Sequence, residues 1–141
     1  IITDSALYAS DFVVVVLQTQ ERSLRGAEGF TTYLQTLIDD YDADLDILGI
    51  LPVLWKNGAA VDIQTLDTAK EIFGDYNIFK NVIKQMERLK RFDMTGITEN
   101  DMHDKNVIRS YTKVATEFIE RLDIAVNGAH TPNENGEVVD V

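Results

Sequence analysis

The residues most able to bind a ligand are cationic. Lys80, Lys84, Arg88, Lys90 and Arg91 stand in a short window with a single acid, Glu87, a local balance of +4. The whole chain carries −11, from 24 acidic and 13 basic side chains, so everything outside that window sums to −15. Positive charge concentrated in an acidic body is either a solvated helix face or an anion site for DNA phosphates or a nucleotide. Lys105, Arg109 and Lys113 follow at a spacing of four and share a face if they lie on a helix. If the two faces adjoin, about eight positive charges form one patch, a size that matters for duplex DNA.

Trp55 is the sole tryptophan and closes the apolar run at Val53-Leu54-Trp55. It could stack on a base beyond the end of a strand, or it could be a core or rim tryptophan. The aspartates between Asp39 and Asp46 alternate as in a calcium loop. The glycine and bidentate glutamate that such a loop needs are replaced by Leu45 and Leu51, so a solvated helix-to-strand loop is the better reading. His103 and His130 have no partner at ligand spacing. No G-x-S-x-G, H-E-x-x-H or phosphate-binding glycine loop occurs, which removes support for triad, zinc and stand-alone NTPase chemistry. Without cysteine there is no disulfide framework or thiolate nucleophile, which fits a reducing, cytoplasmic setting. The longest apolar run, Phe12 to Leu17, is too short to cross a bilayer and lacks the basic lead-in of a signal peptide.

The elements that must position these residues are legible in part. Phe12 to Leu17 is an unbroken, largely β-branched run without alternation, which predicts a central parallel strand covered on both faces. From Ser23 to Tyr41, Leu24, Ala27, Phe30, Leu34, Leu37, Ile38 and Tyr41 make one apolar stripe, with Ser23 as N-cap. Gly26 and Gly29 are expected to let that helix approach the sheet. Leu45 to Trp55 reads as a second strand, ended or bulged at Pro52. A loop from Lys56 to Ala60, a helix from Asp62 to Phe73 stopped by Gly74, and a short strand at Val82-Ile83 follow. The last helix is expected from about Lys105 to Ala125. Residues 1–126 read as one part of a domain and 127–141 as a disordered acidic tail. The order predicts an α/β fold, the C-terminal half of a doubly wound, mainly parallel P-loop-type sheet flanked by helices. A half sheet exposes an apolar edge, and the chain opens Ile1-Ile2 without Met, as a processed product or a piece of a longer protein would.

Order and spacing of several segments resemble ParA-type plasmid and chromosome partition ATPases. Ser10 to Gln20 followed by Ser23-Leu24-Arg25-Gly26 resembles the family's strand, Gln-Thr-like segment and small-Leu-x-Gly helix start. Asp46-Ile47-Leu48-Gly49-Ile50-Leu51 resembles the next strand. Phe73-Gly74 and Phe79-Lys80-Asn81-Val82-Ile83 resemble the following helix end and short strand. Ile83 to Leu89 stands where the family has Ile-Pro-Arg-Asn-x-x-Leu. The resemblance covers roughly Ile1 to Leu122.

It implies a deviant Walker P-loop ATPase that dimerises around ATP and Mg2+, binds DNA non-specifically and answers to a ParB-like centromere-binding protein. The family's phosphate loop and magnesium aspartate would lie upstream, so no catalytic residue carries over. Its base contacts carry to Val53, Leu54 and Trp55 and to Lys84, Gln85 and Met86, with Lys84-Gln85 departing from the usual Pro-Arg. Its DNA contacts carry best to Lys105, then Arg109 and Lys113, joined by Lys80, Arg88, Lys90 and Arg91 of the basic window. A MinD-like, membrane-acting relative would end in a basic amphipathic helix, unlike Asn127 to Val141. The rival reading is a non-catalytic protein-interaction module derived from the same fold.

Overall fold

The computed structural model describes residues 2–56, 59–128, 130–132 and 138–140, the last two segments by their backbone. The elements are α1 (Ile2–Ala9), β1 (Phe12–Gln18), α2 (Glu21–Tyr41), β2 (Asp46–Trp55), α3 (Ala60–Phe73), β3 (Ile83–Lys84), α4 (Glu87–Thr95), α5 (Met102–Asn127), β4 (His130–Pro132) and β5 (Val138–Asp140), with a single 3-10 turn at Asp75–Asn77. β1, β2 and β3 form a parallel sheet in that order. The architecture is α/β, a small parallel three-stranded sheet flanked by helices.

Branched side chains at Val13, Val15 and Leu17 define one face of β1. A bulge where β1 pairs with β2 at Val13 and Val14 puts Ile50 beside Val15. On this face Val15, Leu17 and Ile50 pack with Leu24 and Ala27 of α2 and Ala69 of α3. Leu7 of α1 joins Leu34, Leu37, Ala43 and Leu45 in a second cluster. The opposite face carries Val14, Val16, Gly49 and Leu51, and α5 crosses it at Gly49.

Several expectations are corrected. β1 is an edge strand of the described sheet rather than a central one, because β2 has the two neighbours. It is covered on one face only at its end, where Val16 is 61% exposed. The N-cap of α2 is Gln20, without a side-chain cap bond, and Ser23 falls inside the first turn. Gly26 and Gly29 are exposed with open space around them, so neither serves a close approach. Pro52 neither ends nor bulges β2, for it pairs with Leu17 and is fully buried. The Ile50 carbonyl accepts from Phe79 N–H, so two residues on, the missing N–H of Pro52 faces the same, sparsely paired side. The irregularity lies next door, between Val53 and Trp55, where Leu54 takes a left-handed φ of 57°. Helix α3 starts two residues early, and α5 extends at both ends. Helix α5 runs through Asn127, and beyond it β4 pairs antiparallel with β5.

Candidate nucleotide and DNA interface

The carboxyl ends of β2 and β3 bring two sequence-distant triplets together. Val53 pairs with Ile83 and Trp55 with Lys84. The N–H of Gln85 donates to the Trp55 carbonyl over 3.1 Å. The Lys84 ammonium sits 5.6 Å from the centre of the Trp55 ring, within cation–π range. Trp55 is half-buried and its Nε1–H has no hydrogen-bond partner among the described residues. A buried donor without a partner costs free energy that a bound acceptor would recover. Leu54, half out of its strand and in the left-handed region, stores strain at the same place. Val53, Leu54 and Trp55 thus lie beside Lys84 and Gln85, and Met86 follows as the N-cap residue of α4. This is the end of a parallel sheet at which open α/β folds hold ligands.

Two polar networks, neither visible as a motif, fix the surroundings. On α5, the Glu117 carboxylate accepts from Lys80 N–H at 2.9 Å, from Asn81 N–H at 2.8 Å and from Asn81 Nδ2 at 2.8 Å. Arg121 donates from Nη2 to the Ile78 carbonyl at 2.9 Å and from Nη1 to the Leu48 carbonyl at 3.3 Å. Burial pushes the Glu117 pKa up, but the bonds from Asn81, Lys80 and Arg121 outweigh it and hold it below its usual value. The second network ties α4 to α5. Arg88 donates to Asp101 at 2.9 Å and to the fully buried Asp104 at 3.1 Å. Asp104 also accepts from the Thr98 hydroxyl and from Asn100 N–H, and its own N–H donates to Asp101, the N-cap of α5. The Thr98 hydroxyl bond leads in lowering the Asp104 pKa, against burial. The Asp104 N–H does the same for Asp101. The readable signals were an Asp-x-x-Asp before an apolar stripe and a Glu–Arg pair at a spacing of four.

The basic residues divide accordingly. Arg88 is largely buried and committed to two aspartates. Lys80, Lys84, Lys90, Arg91, Lys105, Arg109 and Lys113 are exposed. Lys90 lies 3.4 Å from Glu87, a solvated pair. Arg109 and Lys113 line a shallow cavity of about 450 Å³ with Asn81, the neighbour of Lys80, and with Glu117 and Glu120. Arg91 lines another with Arg88, His103 and Asn106, next to Lys105. The window and the α5 face therefore adjoin, with acids between them. His103 is exposed and His130 has no described side chain. Among the described residues no group of three or more His, Asp or Glu is placed to hold a metal, and no helix is long and apolar enough to cross a membrane.

No protein-family model and no curated protein matches the chain. Among solved structures, McdA of Cyanthece in its apo form is similar at a TM-score of 0.69 and 18% identity. The match covers 82% of this chain and 47% of that one, so the chain spans about half of the neighbour's length. The likeness is one of fold, and that fold is ParA-type.

Proposed function

We propose that the chain forms the C-terminal part of a ParA-type DNA partition ATPase, supplying part of the nucleotide-base pocket and a DNA-contacting surface. The observation that carries this reading is the meeting of Val53-Leu54-Trp55 with Lys84-Gln85-Met86 at the carboxyl end of a ParA-type sheet. The half-buried Trp55 ring beside Val53 and Leu54 suits the flat face of an adenine base, which would stack on it. ATP and Mg2+ belong to the complete protein, whose phosphate loop would supply the hydrolytic chemistry. The edge of β1 that no described strand pairs is where further strands would complete a doubly wound sheet. Residues 1–126 act as this part of the domain and 127–141 as its tail. A homodimer, a ParB-like partner and a cytoplasmic setting follow from the same reading.

On the DNA side, Lys105, Arg109 and Lys113 lead, with Lys80, Lys90 and Arg91 beside them, while Arg88 holds α4 against α5. The test is binding of a labelled duplex of arbitrary sequence to this 141-residue chain across a salt series. Affinity should fall with a log–log slope of about −0.9 per neutralised phosphate. K105E/R109E should weaken binding and flatten the slope by about two contacts' worth. Unchanged affinity in that variant overturns the assignment of this surface.

A second reading, a protein-interaction module without ATP chemistry, is favoured by the β1 edge, which no described strand pairs, and by exposed Val16. Sedimentation at micromolar concentration separates the two: a stable monomer speaks against a module that needs a partner on that edge.

A further inference from the structure

We propose that the cavity between the start of α4 and the first turns of α5 binds a phosphate group. Arg88 and Arg91 stand three residues apart on α4, and His103 and Asn106 three apart on α5, so each pair shares a helix face. All four line one space of about 400 Å³. That volume falls in the range of sites that bind ligands, and it leaves room for the group that carries the phosphate.

Donors dominate the lining. The side chains of Arg91, His103 and Asn106 make no hydrogen bond or ion pair among the described residues. Arg88 meets Asp101 and Asp104 through Nη1 alone, at 2.9 and 3.1 Å. Its Nε and Nη2 make no bond among the described residues. Neither is buried, since Trp55 Nε1 is the one buried side-chain donor left without a partner there. The aspartates do not line the cavity, because Asp104 is taken up by Thr98 and Asn100 N–H, and Asp101 by the Asp104 N–H. They hold the Arg88 fork in place before any ligand arrives, which lowers the cost of binding. Glu87 is the one acid in the lining, and it lies 3.4 Å from Lys90.

Hydrogen-bond chemistry selects the ligand. Guanidinium groups grip phosphate oxygens through paired N–H donors. A carboxylate has two oxygens in one plane and fills a single fork. Donors converging from two helices suit the several oxygens of a tetrahedral group. A cationic ligand would find only Glu87, already beside Lys90. A phosphate reaches this cavity on a DNA backbone or on a small phosphate ester, and the side chains that recognise it are the same.

The test titrates inorganic phosphate into the nitrogen-15-labelled 141-residue chain at constant ionic strength, read by NMR at the Asn106 side-chain amide and the Arg91 Nε–H. Saturable shifts at both groups are expected. Arg91→Met, at an exposed position, should weaken binding at least about tenfold with an unchanged circular dichroism spectrum, because a charge-assisted hydrogen bond is lost. Asn106→Leu should weaken it at least about fivefold. Arg22→Met, the same charge change made on α2, should leave it within about twofold, since salt screens distant charges. Shifts that grow without saturating overturn the proposal, and so do equal losses in Arg91→Met and Arg22→Met, because bulk charge would then account for them. Duplex added to the phosphate-loaded chain identifies the source: displacement assigns the group to a DNA backbone, and joint binding assigns it to a small phosphate ester. The cavity and the DNA surface fail separately, for K105E/R109E can lose the duplex while inorganic phosphate still binds.

Discussion

Arg121 Nε donates to Glu117 Oε2 over 3.0 Å, one turn apart on α5, and the two side chains divide the task of anchoring that helix. Glu117 takes the N–H groups of Lys80 and Asn81, and Arg121 takes the carbonyls of Ile78 and Leu48. The guanidinium also lies 4.5 Å from the centre of the Phe79 ring. The pair therefore pins the segment leading into β3, and with it Lys84 and Gln85, against the end of β2.

Removing one partner of this pair strands the other. Glu117→Gln or Arg121→Met should each destabilise the fold by about 3–5 kcal/mol, because a largely buried charge loses its counter-ion. Urea titration followed by circular dichroism measures this, and a midpoint shift near zero would show that water already screens the pair.

Gly49 and the helix glycines should respond in opposite senses. A Cβ at Gly49 would stand 2.7 Å from Phe79 Cε1 and 3.1 Å from Arg121 Nη1, so Gly49→Ala should cost about 1–3 kcal/mol by overpacking. Gly26→Ala and Gly29→Ala meet nothing within 4 Å and should each stabilise α2 by about 0.5–1 kcal/mol. The melting temperatures of the three variants decide.

Acid should loosen the α4–α5 junction and the α5 anchor together. Asp101, Asp104 and Glu117 all have lowered pKa values in the fold. Their stabilisation is present above the ordinary carboxylate values and is lost as pH falls through the depressed ones, where the folded carboxylates must also take protons. Stability should thus be flat near neutrality and fall below about pH 4. Asp104→Asn, compared with the parent across pH, should show a shallower acid limb; an identical limb would remove Asp104 from the account.

Trp55 reports on its own site. As the sole tryptophan, it should show a saturable emission change on adding an adenine nucleotide, weakened in Gln85→Ala and altered at rest in Lys84→Met. A spectrum indifferent to nucleotide would mean that no base stacks there.

Opposite faces of β1 should tolerate different changes. Val16→Lys, at an exposed position, should alter stability by less than about 0.5 kcal/mol. Leu17→Ala, one residue on and fully buried, should cost about 2–5 kcal/mol. Equal costs would show that both faces are covered in solution.

By itself the sequence determined the order of elements, because local periodicity writes strands and helices directly: the β-branched run became β1, and the Leu24 to Tyr41 stripe became α2. It also set the charge contrast, which is additive and needs no fold. What only the tertiary structure decided is who meets whom. Val53 to Trp55 and Lys84 to Met86 lie some thirty residues apart, and strand register joins them. Arg88 reads as one more surface cation until burial beside Asp104 turns it into a strut. Gly49 reads as an ordinary strand glycine until Phe79 and Arg121 fill the space where its side chain would stand. Pairing between strands, burial and close approach depend on distant parts of the chain arriving together, and a local pattern carries no record of that arrival.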